Sequence, residues 1–146
     1  MSVLLDTNIL LRRTQPEHPS HALAVESVAR LLASGELVYF TFQNISEFWN
    51  VATRPVENNG LGFSAGLVLA EVEKIERLLT LLPETPAVYG EWKRLVVEKE
   101  VQGVSVHDAK LVAVMNVQGI ARILTFNTGD FSRYEVQAIH PSLVLA

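Results

Sequence analysis

Short apolar runs alternate with longer helical patterns along nearly the whole chain, and this alternation restricts the fold more than any other feature. Ser2–Leu5 is a brief apolar run, residues 37–42 are β-branched and aromatic, and residues 122–126 and 136–139 repeat the type near the end. Each is short and apolar enough for a buried strand. Residues 80–82 add a shorter candidate ahead of Pro83. Between these runs, His21–Ala33 carries Leu23, Val28, Leu31 and Leu32 at helical spacing and stops at Ser34-Gly35. Residues 8–13 predict a short helix or turn. Residues 44–53 predict a helix that closes at Arg54-Pro55, because a residue before proline avoids the helical region. Residues 64–79 and 86–100 are amphipathic helices. Residues 108–117 are apolar nearly all round and end at Gly119, which predicts a helix buried between layers.

Strands that alternate with helices imply parallel pairing with helices on both faces. The expected fold is therefore α/β, a three-layer α/β/α sandwich around a central, mostly parallel sheet. No repeat and no linker interrupts it, so residues 1–146 are expected to form a single domain. In such sheets, sites form outside the carboxyl ends of the strands.

Composition narrows the chemistry. The chain has no cysteine, which excludes a disulfide framework, a thiolate zinc site and a cysteine nucleophile. Twelve basic against sixteen acidic residues leave a formal charge of −4, which argues against a bulk electrostatic binder of nucleic acid. It does not argue against an enzyme that gathers carboxylates and lets cations meet a phosphate. No apolar stretch is long enough for a membrane span and no secretory signal is visible, so a cytoplasmic location is expected.

Only three of the sixteen acids are aspartates: Asp6, Asp108 and Asp130. Asp6 ends an apolar strand, where an unpaired charge is costly. Its structural explanation is a helix cap or a buried ion pair. Asn44-x-x-Glu47, Ser105-x-x-Asp108 and Asn127-x-x-Asp130 all have the form of a capping box, and each acid alone is explained by that role. As one set they read differently. Carboxylates held together repel and raise one another's pKa, and a hard divalent cation with oxygen ligands relieves the repulsion. Such an ion lowers the pKa of a water and stabilises charge on a phosphoryl group, which is the chemistry of phosphodiester hydrolysis.

Four blocks then resemble one family. Leu4-Leu5-Asp6-Thr7-Asn8, the stretch from Ser46-Glu47-Phe48-Trp49 through Arg54-Pro55, His107-Asp108-Ala109, and Leu124-Thr125-Phe126-Asn127-Thr128-Gly129-Asp130-Phe131 are similar, in order and separation, to the motifs of PIN-domain ribonucleases. The second block resembles the corresponding motif as it stands in one group of VapC-like toxins of type II toxin–antitoxin systems. The resemblance implies a metal-dependent endoribonuclease using Mg²⁺ or Mn²⁺, with RNA as substrate, a VapB-like antitoxin as partner, and a homodimer. Carried over by position, Asp6 and Asp108 are the metal ligands, and Glu47 and Asp130 complete the catalytic acids. Thr7, Asn8, Thr125 and Asn127 stand beside them, with the two threonine hydroxyls holding carboxylates. Many relatives carry Asp where this chain has Asn127, so either Asn127 or Asp130 faces the metal.

Other residues carry two readings each. Arg54 is a phosphate contact or a cation at a helix end. Arg12, Arg13, Lys110 and Arg133 line an RNA groove or are scattered surface charges, His107 belongs to a helix start, and Trp49 and Trp92 are packing or interface residues. A haloacid-dehalogenase-like phosphatase is the alternative enzyme, but it needs a second Asp where this chain has Asn8. A non-catalytic PIN-fold binding module is the other alternative, and four retained acids weigh against it.

Overall fold

In the first strand, Val3 and Leu5 enter one hydrophobic core while Leu4, between them, enters another. That two-residue period is the pleat of a strand buried on both faces. The computed structural model describes residues 1–146. Its strands are β1 (Ser2–Leu5), β2 (Leu37–Phe40), β3 (Thr80–Leu81), β4 (Arg122–Leu124) and β5 (Gln137–Ile139). Its helices are α1 (Thr7–Arg13), α2 (His21–Ala33), α3 (Phe42–Thr53), α4 (Ala65–Leu78), α5 (Ala87–Glu98), α6 (Ser105–Gln118) and α7 (Pro141–Leu145).

The sheet order is β3-β2-β1-β4-β5, and all four pairings are parallel. On one face, α1 to α4 supply Leu10, Val28, Phe48 and Val68 to the larger core. On the other, α5 and α6 supply Leu95, Leu111 and Met115. The result is the α/β/α sandwich expected from the alternation. Because α6 lies between the sheet and α5, it is apolar on most sides, and Ala109 through Met115 are buried apart from Lys110.

Several boundaries and one element differ from expectation, among them the start of α3 at Phe42 rather than residue 44 and the end of β4 at Leu124 rather than residue 126. The strand expected to reach residue 42 stops at Phe40, because Thr41 caps α3. The helix α6 starts at Ser105, three residues before Asp108. The five-residue α7 has no counterpart in the sequence reading; it packs on α2, and Val144 reaches the larger core.

Connections leave β1 toward β2 on one side and return to β4 on the other, so the order reverses between β1 and β4. A crevice forms outside the carboxyl ends of neighbouring strands at such a reversal. Asp6 follows β1 directly and Thr125 follows β4. Asp6 N donates to Leu124 O at 2.9 Å, which binds the two strand ends together.

Candidate active site

The acidic site draws on the ends of β1 and β4, on α3, on the first turn of α6 and on the 3₁₀ turn Thr128–Phe131. Asp6 caps α1: its Oδ1 accepts from Thr7 N at 2.8 Å. Its Oδ2 accepts from the Thr125 hydroxyl at 2.8 Å, so β4 holds the carboxylate that β1 delivers. Thr125 spends its full capacity there. While donating to Asp6, it accepts from Asn127 N at 3.0 Å and from Asn8 Nδ2 at 3.3 Å. The Asn8 carbonyl in turn accepts from Phe126 N. Asn8 and Thr125 therefore lock the turn after β1 to the turn after β4.

Glu47 arrives from α3. The Thr7 hydroxyl donates to its Oε1 at 2.7 Å, and the Gln43 amide donates to its Oε2 at 3.2 Å. Asn44 Nδ2 donates to the Thr7 hydroxyl at 3.1 Å, and a reciprocal capping box joins Thr41 with Asn44. The cap is thus Thr41 rather than Asn44. Glu47 lies beyond the first turn of α3, where the helix dipole no longer accounts for a carboxylate.

The other two capping readings also lack the bonds they require. Asp108 is in the first turn of α6, yet that helix has no side-chain cap bond. Asn127 precedes the single 3₁₀ turn Thr128–Phe131 and makes no side-chain cap bond either. Of the four acids, only Asp6 caps a helix, and none of the four enters an ion pair.

Electrostatics tie the acids together. Asp6 is 9% exposed, and burial pushes its pKa up to about 6. The Thr125 hydroxyl and Thr7 amide oppose that shift, while the charges of Glu47 and Asp130 add to it. Asp108 is half-buried, and its pKa rises to about 7. Burial is the main cause, followed by the charges of Asp6, Asp130 and Glu47, with Arg133 in opposition. All four acids therefore act on one region. Arg133 is the cation that acts on Asp108. The Arg54 guanidinium is instead turned to the loop after α3, where it donates to Asn59 O. Asn127 is exposed and joins the network through its backbone.

No three Asp, Glu or His side chains stand at the spacing of an assembled metal cage. A hard ion of the Mg²⁺ type does not need one, since it keeps several waters and takes one or two carboxylates. Two electrostatically coupled acids with raised pKa values and no ion-pair partner fit that requirement.

The sequence reading missed Thr41, Gln43 and Asn44 as parts of this network. The residues stand together as Thr41-Phe42-Gln43-Asn44, and the polar positions flanking Phe42 were the available signal. Trp92 packs against the smaller core and donates its indole N–H to Val106 O at 2.9 Å, while Trp49 packs against the larger one.

A parallel sheet with acidic residues gathered near its reversal point defines a class of open α/β proteins, in which ligand sites lie outside the strand ends. The chain belongs to the PIN domain family, whose model matches residues 3–137. Among curated proteins, none matches this sequence. Several solved structures share the fold. VapBC2 from Rickettsia felis, bound to a DNA fragment from its promoter, superposes with a TM-score of 0.70 at 16% identity over 96% of this chain and 98% of that one. FitAcB from Neisseria gonorrhoeae gives 0.69 at 18% identity over 96% and 98%. VapC20 of Mycobacterium tuberculosis, a toxin that cleaves the sarcin-ricin loop, gives 0.67 at 18% identity over 92% and 97%. At these identities the likeness carries the fold.

Proposed function

We propose that this chain is a divalent-metal-dependent endoribonuclease and the toxin half of a VapBC-type pair, acting in the cytoplasm on RNA. The observation that carries the reading is the pair Asp6 and Asp108. Both have raised pKa values, Asp6 stands at the sheet's reversal point and its charge acts on Asp108, and neither meets a cation of the chain in an ion pair. Family membership supports nuclease chemistry at that position, and the toxins among the fold relatives support the biological setting.

In this reading Asp6 and Asp108 hold Mg²⁺ or Mn²⁺. The ion, when bound, supplies Lewis-acid activation of water and charge stabilisation at phosphorus. Thr125 and Thr7 N keep Asp6 oriented and ionised. Glu47, fixed through both oxygens, adds to the hold on the ion directly or through a water and orients the attacking water. Asp130, whose charge reaches both aspartates, completes the acidic pocket in preference to neutral Asn127. Arg133, whose charge acts on Asp108, faces the phosphate in place of Arg54, to which the sequence pattern gives that role. Unpaired RNA is the substrate, since its bases and sugars are accessible to a crevice of this kind. A VapB-like antitoxin blocks the site by placing an arginine among the carboxylates. The toxin itself is a homodimer.

The test is cleavage of a mixed RNA pool with Mg²⁺, Mn²⁺ or chelator, beside the Asp6→Asn, Asp108→Asn double variant. Wild-type cleavage that needs metal and disappears in the variant is the expected result. Equal cleavage by the variant assigns the activity to a contaminant and removes the site. No cleavage together with no Mn²⁺ uptake in calorimetry leaves a non-catalytic module as the reading.

A further inference from the structure

Gln43 joins two walls of the crevice. It is the second residue of α3, and its amide nitrogen donates to Glu47 Oε2 one turn later at 3.2 Å. The same nitrogen donates to the His107 carbonyl at 2.8 Å. His107 precedes Asp108 on α6, 64 positions away in the chain. This is the only side-chain hydrogen bond between α3 and α6. The orientation of the amide follows from its neighbours, because the flipped form sets an oxygen against two acceptors.

The carbonyl end of the same side chain is buried and accepts no hydrogen bond. A buried acceptor without a donor is destabilising. Gln43 is thus held by its donor end against an uncompensated loss at the other end, and such groups call for an explanation. The first turn of α6 needs outside support, because it lacks a side-chain cap and Val104 before it is exposed. Trp92 supports that turn from α5 through Val106 O, and Gln43 supports it from α3 through His107 O. Only the Gln43 link also touches a carboxylate of the crevice.

We infer that Gln43 is a positioning residue: it fixes Glu47 relative to the first turn of α6, and thereby sets the separation of Glu47 from Asp108 on which divalent-ion affinity depends. The inference rests on the metal-dependent reading above. Partners that orient ligands from behind are worth about 10–100-fold in metal affinity when removed.

Gln43→Met separates this role from a merely structural one. Methionine keeps the length and removes both donors, so a merely structural role predicts a lowered melting temperature with metal binding unchanged. Calorimetric titration of Mn²⁺ onto the full chain is the measurement, with melting temperatures recorded alongside. Gln43→Met is expected to weaken Mn²⁺ by about tenfold without loss of melting temperature. In a Glu47→Gln background the same change is expected to add nothing. Gln43→Ala, which preserves helix propensity, serves as the second variant and carries the same expectation. Wild-type affinity in either variant overturns the inference, as does an undiminished tenfold effect in the Glu47→Gln background. Failure of the wild type to take up Mn²⁺ overturns the metal-dependent reading itself, and this inference with it. Wild-type uptake with unaltered variants sinks the role of Gln43 alone.

Discussion

An aspartate in water is almost fully ionised at neutral pH, whereas Asp108, with its pKa near 7, is about half protonated there. Asp6 follows at about 6. Both folded-state values lie above the unfolded value of about 3.9. The folded chain therefore binds more protons than the unfolded chain between about pH 4 and pH 7, and stability falls as pH rises through that window. Below it the contribution is fully present; above it the two charges stand unrelieved. Allowing for solvent screening at half-buried Asp108, the loss is on the order of 3–5 kcal/mol. Asp108→Asn removes one of the charges. Its melting temperature in chelator at pH 8 is expected to exceed that of wild type by a few degrees, with a flatter decline from pH 4 to pH 8. Parallel melting curves for the two proteins across that range, measured by circular dichroism, would refute the electrostatic account of this site.

At the scale of the elements, the loop after α3 shows how the chain terminates a helix without a glycine cap. Residues 55–63 fold back so that Leu61 N, Gly62 N and Phe63 N donate to Val51, Arg54 and Ala52 carbonyls at 3.0, 2.9 and 2.8 Å. These are the carbonyls a helix end leaves without partners. The return passes so close that a Cβ on Gly60 would lie 1.9 Å from Arg54 O. Gly60→Ala must open the strap, and a loss of about 2–4 kcal/mol is expected, within the range for backbone clash and broken backbone bonds. Gly66→Ala, in α4 with open space around it, is expected to change stability by less than about 1 kcal/mol in the favourable direction. Urea denaturation of the two variants checks the contrast, and comparable midpoints would show that the loop has no such constraint. Sequence pattern predicts residues 57–62 only as a polar loop, because the strap depends on a distance between backbones that no side chain records. The strands were legible because they are buried on both faces and so run continuously apolar, as at Val3-Leu4-Leu5. Asp6, Asp108 and Asp130 were legible as candidates because each follows a strand or falls in a first helical turn, whereas Glu47 lies beyond the first turn of α3. The capping patterns misled because Asn44 is a member of a box whose cap lies three residues earlier, at Thr41. The Gln43 bridge was not legible, since its partners are a residue one turn away and a backbone carbonyl on a distant helix.

Over the whole molecule, the sheet order brings together acids from positions 6, 47, 108 and 130, so no local segment can form the crevice alone. An ion held there is consequently a ligand of the folded state only, and its binding raises stability by RT ln(1 + [L]/Kd). The carboxylates must also be ionised to hold it, so the gain depends on pH. At pH 5 Asp6 and Asp108 are both mostly protonated, given pKa values of about 6 and about 7, and the ion competes with protons. At pH 8 both are charged and repel, and the ion gains both its own attraction and the relief of that repulsion. With 10 mM Mg²⁺ the melting temperature is therefore expected to rise by several degrees at pH 8, about 2–4 °C for each kcal/mol at this chain size, and by little at pH 5. The same addition is expected to leave the Asp6→Asn, Asp108→Asn variant unmoved at either pH. Differential scanning calorimetry in Mg²⁺ and in chelator measures the increments. An equal rise at pH 5 and pH 8, or an equal rise in the variant, means that Mg²⁺ acts on the chain's general negative charge of −4 rather than at the sheet's reversal point.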